Sequence, residues 1–219
     1  MSENPNAGNP LQRYFRQPKI YISLPSKGQY WGNSLEMTET GEFPVYAMTA
    51  KDELSFKTPD ALINGQSTVD VVHSCMPNIK NAWHMPSIDL DAILVAIRIA
   101  TYGEKMDVET TVPVIEEERT YELDLRQILD QLIAVEFENI MQIDDLVIHL
   151  RPLTYQEFTR SALKTFEEQR IFSALDNQDI SEEEKLAKFN SSFRKLTELN
   201  INTMSDSISA IEVGDETVR

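Results

Sequence analysis

The sequence predicts an α+β fold: a mainly helical body with small antiparallel β elements and a C-terminal helical hairpin. Three observations carry this reading. Residues 88–102 are apolar almost throughout and end at Gly103, as a central helix would. Residues 105–112, 119–124 and 145–151 alternate or run as short β-rich segments bounded by turn residues. Thr154-Tyr-Gln-Glu157 and Ser181-Glu-Glu-Glu184 are capping boxes, each opening a long run with apolar residues three and four apart.

The elements follow in order. Lys19-Ile-Tyr-Ile-Ser-Leu24 reads as a strand that Pro25 and Gly28 end. Phe43-Pro-Val-Tyr-Ala-Met48 reads as a second, with Pro44 marking an edge because proline has no N–H for a ladder. The two are expected to pair across the loop 25–42. Thr49-Ala-Lys-Asp52 starts a short helix, with Thr49 as its cap. Thr58-Pro59-Asp60 opens another, expected to run to Met76, where Pro77 stops it, with Leu62, Ile63, Val69 and Val72 in its buried stripe. Ser87 is expected to cap the core helix 88–102. A hairpin follows, turning at Pro113–Glu118, and then a short helix from Asp124 to about Val135. Asp145–Arg151 is the clearest strand.

The hairpin helices carry two apolar quartets. Leu186, Phe189, Phe193 and Leu196 stand at 3-4-3 spacing, and Ile201, Met204, Ile208 and Ile211 repeat it 15 positions later. That offset is a rotation of about 60°, so both quartets share one broad seam if the helix persists. The expected organisation is a flexible basic arm (1–18), an α+β body (19–152), a helical hairpin (153–203) and an acidic tail (204–219) left open between order and disorder.

Composition narrows the function. With 36 acidic against 20 basic residues the net charge is −16, so nucleic acid and anionic membranes repel the chain. The charge is uneven: residues 1–31 hold Arg13, Arg16, Lys19 and Lys27 against Glu3, leaving −19 for the rest. A basic arm with Tyr14, Phe15, Tyr21, Tyr30 and Trp31 suits an acidic protein surface, including another copy of the chain, or folds back on its own body. A single cysteine, Cys75, fits a reducing cytosol. No apolar run is long enough to span a bilayer.

Chemistry is hard to find. His73 and Cys75 point about 200° apart on a helix and cannot share a metal ion. His149 lies on a strand and is expected to face solvent. No nucleophile elbow, phosphate loop or dinucleotide fingerprint occurs. Glu182, Glu183 and Glu184 fit the positive end of a helix dipole without any further role. The expectation is no catalytic site, no cofactor and no metal. The seam is then either packed against helix 154–175 or offered to a partner's helix, with Glu198 and Asp206 beside it favouring a basic one.

Four runs suggest a family. They are Leu24-Pro-Ser-Lys-Gly-Gln29; Met48-Thr-Ala-Lys-Asp-Glu-Leu54 continuing through Lys57-Thr-Pro-Asp-Ala-Leu-Ile-Asn-Gly65; Ser74-Cys-Met-Pro-Asn-Ile79; and Pro86 through Gly103. Together, over about residues 19–155, they resemble the baseplate hub assembly proteins of T-even-type bacteriophages. The resemblance implies a late phage protein, chaperone-like and not an enzyme, that binds hub or tape-measure proteins in the host bacterial cytoplasm. A structural baseplate subunit kept in the virion is the alternative, and an acidic DNA mimic acting on a host enzyme a remoter one. Many members carry a zinc-ribbon-like Cys-x-x-Cys in the hairpin turn; here Pro113–Glu118 has none, so metal binding is not carried over. The expected partner-binding residues are the seam (Leu186, Phe189, Phe193, Leu196, Ile201, Met204) and the first motif (Leu24, Pro25, Lys27, Gly28), read as exposed.

Overall fold

A computed structural model describes residues 16–57, 64–112, 117–175, 181–214 and 216–218. The N-terminal arm to residue 15, the helix start at Thr58-Pro59-Asp60, and the turns 113–116 and 176–179 lie outside the described residues.

Strands β1 (Ile20–Ile22) and β2 (Phe43–Val45) pair antiparallel as expected, Ile20 opposite Val45 and Ile22 opposite Phe43. Alternation turns Ile22, Phe43 and Val45 into the core and leaves Tyr21 outside. Helix α1 (Ala50–Phe56) starts on a full capping box, Thr49 with Asp52. The next helix, α2 (Gln66–Cys75), begins only after Gly65. A single helix through to Met76 is therefore not formed. Gly65 has φ +79°, which ends α-helical geometry on its N-terminal side.

Helix α3 (Ser87–Tyr102) is the core helix and buries Ala92, Ile93, Ala96, Ile97, Ile99 and Ala100. Each large aliphatic here contributes about 1.5–3 kcal/mol before entropy is counted. Its start differs from expectation. Pro86 holds the N-cap position with no side-chain cap, and the Ser87 N–H donates instead to Leu153 O at 2.8 Å. Strands β3 (Lys105–Val112) and β4 (Glu117–Asp124) form the expected hairpin, from Lys105 opposite Asp124 to Val112 opposite Glu117. Asp124 caps α4 (Leu125–Ala134), which buries Leu125 and Leu129 against the body.

At the end of the expected body, strands β5 (Ile140–Ile143) and β6 (Leu146–Leu150) precede helix α5 (Tyr155–Leu175) and helix α6 (Glu182–Asp206). Tyr155 ties α5 to the body: its N–H donates to Met85 O at 2.7 Å and its ring stacks on Trp83 at 5.7 Å. The C-terminal stretch expected as an acidic tail adds two strands, β7 (Ile208–Val213) and β8 (Glu216–Val218), giving an antiparallel sheet in the order β5-β6-β7-β8. Ile208 and Ile211 thus belong to a strand and not to the helical seam. Their spacing of three suits a helix, but a bulge beside His149/Leu150 takes up one residue, so Ile208 pairs with Leu150 and Ile211 with Ile148.

Candidate docking surface

Helix α6 opens on Ser181, whose hydroxyl accepts from the Glu184 N–H. It lies against α5 through a polar seam. Ser161 Oγ meets Thr203 Oγ1 at 2.8 Å, Lys195 Nζ donates to Glu168 Oε1 at 3.0 Å, and Ser192 is 3% exposed between them. Since residues turn by 100° each, Phe189, Phe193, Met204, Leu186 and Ile201 lie about 60–180° around α6 from Ser192. They consequently miss the helix–helix contact. Leu186 is 62% exposed, Phe193 60%, Ile201 60% and Met204 70%, with Phe189 at 42% stacked on Phe193 at 6.5 Å. Only Leu196 is half-buried. The reading in which the seam packs inside against α5 is therefore not what forms.

Helix α5 repeats the pattern. Phe158, Ala162 and Phe166 stand about 60–140° from Ser161 in the same rotational sense. In antiparallel helices this brings both apolar stripes to one side of the hairpin. A shallow groove of about 300 Å³ there is lined by Leu153, Phe158, Ala162, Phe166 and Thr203. The hairpin holds Ser161, Ser192 and Thr203 inside, with Leu196 and Leu199 half-buried on the same side of α6, and turns its aromatic residues outward.

The first motif is placed differently from expectation. Leu24 is 1% exposed and Pro25 is also buried; of the four residues expected to bind a partner only Lys27 is exposed, pairing with Glu136 at 2.8 Å. Gly28 has φ +79°, and a Cβ there would lie 2.5 Å from Met37 Sδ. What orders the motif is Asp89 on α3, itself fully buried. Its carboxylate accepts from the Ser26 N–H at 2.7 Å, from the Ser26 hydroxyl, and from Trp31 Nε1 at 2.7 Å. Burial raises the Asp89 pKa, and these three donors offset only part of that rise. Trp31 is thus a core residue and not part of a docking arm. Pro25 still forms one wall of a groove of about 390 Å³ with Ile88, Leu132, Val135 and Phe137.

Arg16, the first described residue, folds onto the body. It donates to Ser74 O at 2.7 Å and to Ala47 O, lies 3.9 Å from Asp52, and stacks on Tyr46. Cys75 is buried, which raises its pKa. His149 is half-buried, with Nε2 3.0 Å from Glu212 Oε1 but out of line for a hydrogen bond. Among the described residues, no group of three or more His, Cys, Asp or Glu side chains converges as metal ligands would. No described helix is long and apolar enough to cross a membrane.

Sequence reasoning missed three features. Asp89 inside an apolar helix was the available signal for the first. The second is the fork of Arg151 onto Glu157, 2.9 Å to each oxygen, which adds an ion pair to the Thr154 capping box. The third is the outward Phe158 and Phe166, whose periodicity reads equally well as a buried stripe.

These features define an α+β protein whose most distinctive surface is an outward apolar face on a helical hairpin. The chain belongs to the family described as T4 bacteriophage base plate protein, whose sequence model matches residues 17–219. Its role is therefore a baseplate-related one in a T4-like phage. Comparisons with curated proteins and with solved structures find no match.

Proposed function

We propose that this baseplate protein is a non-catalytic assembly factor that binds hub or tape-measure proteins through the outer face of the α5–α6 hairpin. The observation that carries it is the arrangement of the hairpin: Ser161, Ser192 and Thr203 sit between the helices while Phe158, Phe193, Ile201 and Met204 face outward. Exposed aromatic side chains on a rigid helix are the usual anchors of a protein interface, because they bury much apolar area at little entropic cost. Glu183, Glu184 and Glu198 beside the stripe favour a helical client with basic flanks.

The test is co-expression with individual hub and tape-measure proteins, followed by purification of any complex. The reading expects a stable complex that Phe189→Asp with Phe193→Asp abolishes. A complex that survives the double substitution, with both proteins folded, removes this face from the interface.

A further inference from the structure

The C-terminal sheet has a sidedness that nothing in the described chain uses. Residues opposite one another in an antiparallel pair share a face. The register gives one row of Ile143, Leu146, Val213 and Glu216, and a second of Met141, Ile148, Ile211 and Val218. The rows Gln142, Val147, Glu212 and Thr217, and Ile140, His149 and Ala210, lie on the opposite face, which mixes polar with apolar residues. One face is thus aliphatic on β5, β6 and β7, and on the edge strand β8 it carries Val218 with Glu216. Yet no described residue of these strands is buried, and Met141 and Val218 are 46% and 66% exposed. A sheet with one apolar face ordinarily carries a helix layer about 10 Å above it.

Among the described residues, the carboxylates and ammonium or guanidinium groups within these strands and their turns are of one sign, negative. There is no Lys or Arg between Arg126 and Arg151, nor between Lys195 and Arg219, and the four strands with their turns fall within those two stretches. Asp144 and Asp145 stand in the β5–β6 turn, and Glu216 lies on the face itself at the edge strand β8, while Glu212 belongs to the opposite face. Arg151, at its end, is held by Glu157. Two copies stacked sheet to sheet would bring the Asp144, Asp145 and Glu216 carboxylates together, which disfavours self-pairing.

We infer that the apolar face of the β5–β8 sheet docks a basic amphipathic helix of another protein. The apolar stripe of that helix covers the Met141–Val218 and Ile143–Val213 rows, and its Lys or Arg flanks meet Asp144, Asp145 and Glu216. This goes beyond the hairpin reading and does not depend on it.

The full chain is titrated with two synthetic amphipathic helical peptides that share one apolar stripe, one flanked by lysine and the other by glutamate. Methyl NMR follows Met141, Ile148, Ile211 and Val218. The cationic peptide is expected to shift these methyls, and the anionic one to leave them unmoved. Met141→Lys with Val218→Lys should weaken the cationic peptide about tenfold or more. Hydrogen exchange in α3 should stay unchanged, because both positions are exposed and strands tolerate lysine at an edge. Equal binding of the two peptides, no binding of either, shifts confined to α6, or undiminished affinity in the double variant each overturns the inference. So does self-association of the chain alone that the same two substitutions abolish, which would make a second copy the occupant.

Discussion

Two carboxylates show how much single side chains decide here. Asp89 accepts three hydrogen bonds with two oxygens, and so fixes the Leu24–Gly28 loop and the Trp31 indole to the core helix. Asparagine at this position has one acceptor and one donor. Either orientation of its amide sets an NH2 group against the Ser26 N–H or the Trp31 Nε1–H. Asp89→Asn is therefore expected to cost about 2–4 kcal/mol, read as a lower urea midpoint. An unchanged midpoint would show that the loop is held by packing alone. Glu157 works in the opposite electrostatic direction. The Arg151 fork, with Thr154, holds its pKa at about 2 against an ordinary 4.5, while burial opposes this. A lowered acid pKa means stabilisation that is complete above pH 4.5 and lost as pH falls from there towards 2. The side chain is 25% exposed, so screening trims the effect. Relative to wild type, Glu157→Gln should lose about 1–2 kcal/mol above about pH 5, and the two unfolding curves should approach one another as pH falls towards about 2. A gap that persists at low pH would assign the loss to packing.

Elements were legible wherever a local signal had only one reading. The Thr49, Thr154 and Ser181 caps, the β1–β2 pair and the core helix all form where the sequence places them. What misled was apolar spacing with two physical meanings. Met204, Ile208 and Ile211 are four and three apart, which a helix satisfies directly and a strand satisfies only with a bulge. Likewise Phe189 and Phe193 have the same periodicity in an inward and an outward stripe; their exposure depends on Ser192 and Thr203 facing α5, which no local pattern reveals. Leu24 and Pro25 sit in a motif whose polar neighbours suggest a surface loop, yet a buried aspartate from α3, 63 residues from Ser26, draws it inward. Two predictions belong at this scale. At Gly65 an added Cβ would meet Tyr155 Oη and Thr159 Cγ2 at 3.1 Å on a positive φ, so Gly65→Ala should destabilise by about 1–3 kcal/mol and loosen α5 from the body. Hydrogen exchange at the start of α5 would detect the loosening, and unaltered protection there would refute it. Phe189→Asp with Phe193→Asp should keep the thermal transition and weaken the client about thirtyfold or more, corresponding to about 2 kcal/mol of lost anchoring. Loss of the whole transition would make the stripe part of the core.

For the molecule as a whole, two apolar faces and a net charge of −16 have to be reconciled. Outward Phe158, Phe193, Ile201 and Met204 on the hairpin, and the aliphatic face of the sheet, would drive free copies together. Like-charge repulsion opposes this, since a strongly acidic surface raises the barrier to self-contact while still attracting a basic client. That combination serves a protein that must exist free before it meets its partner. Assembly factor and structural subunit separate by counting. Quantitative mass spectrometry of hub intermediates and of finished tails should find this chain at defined copy number in the intermediates and depleted in the tails. A fixed, undiminished copy number in finished tails would instead make it a structural subunit, its apolar faces sealed against permanent neighbours.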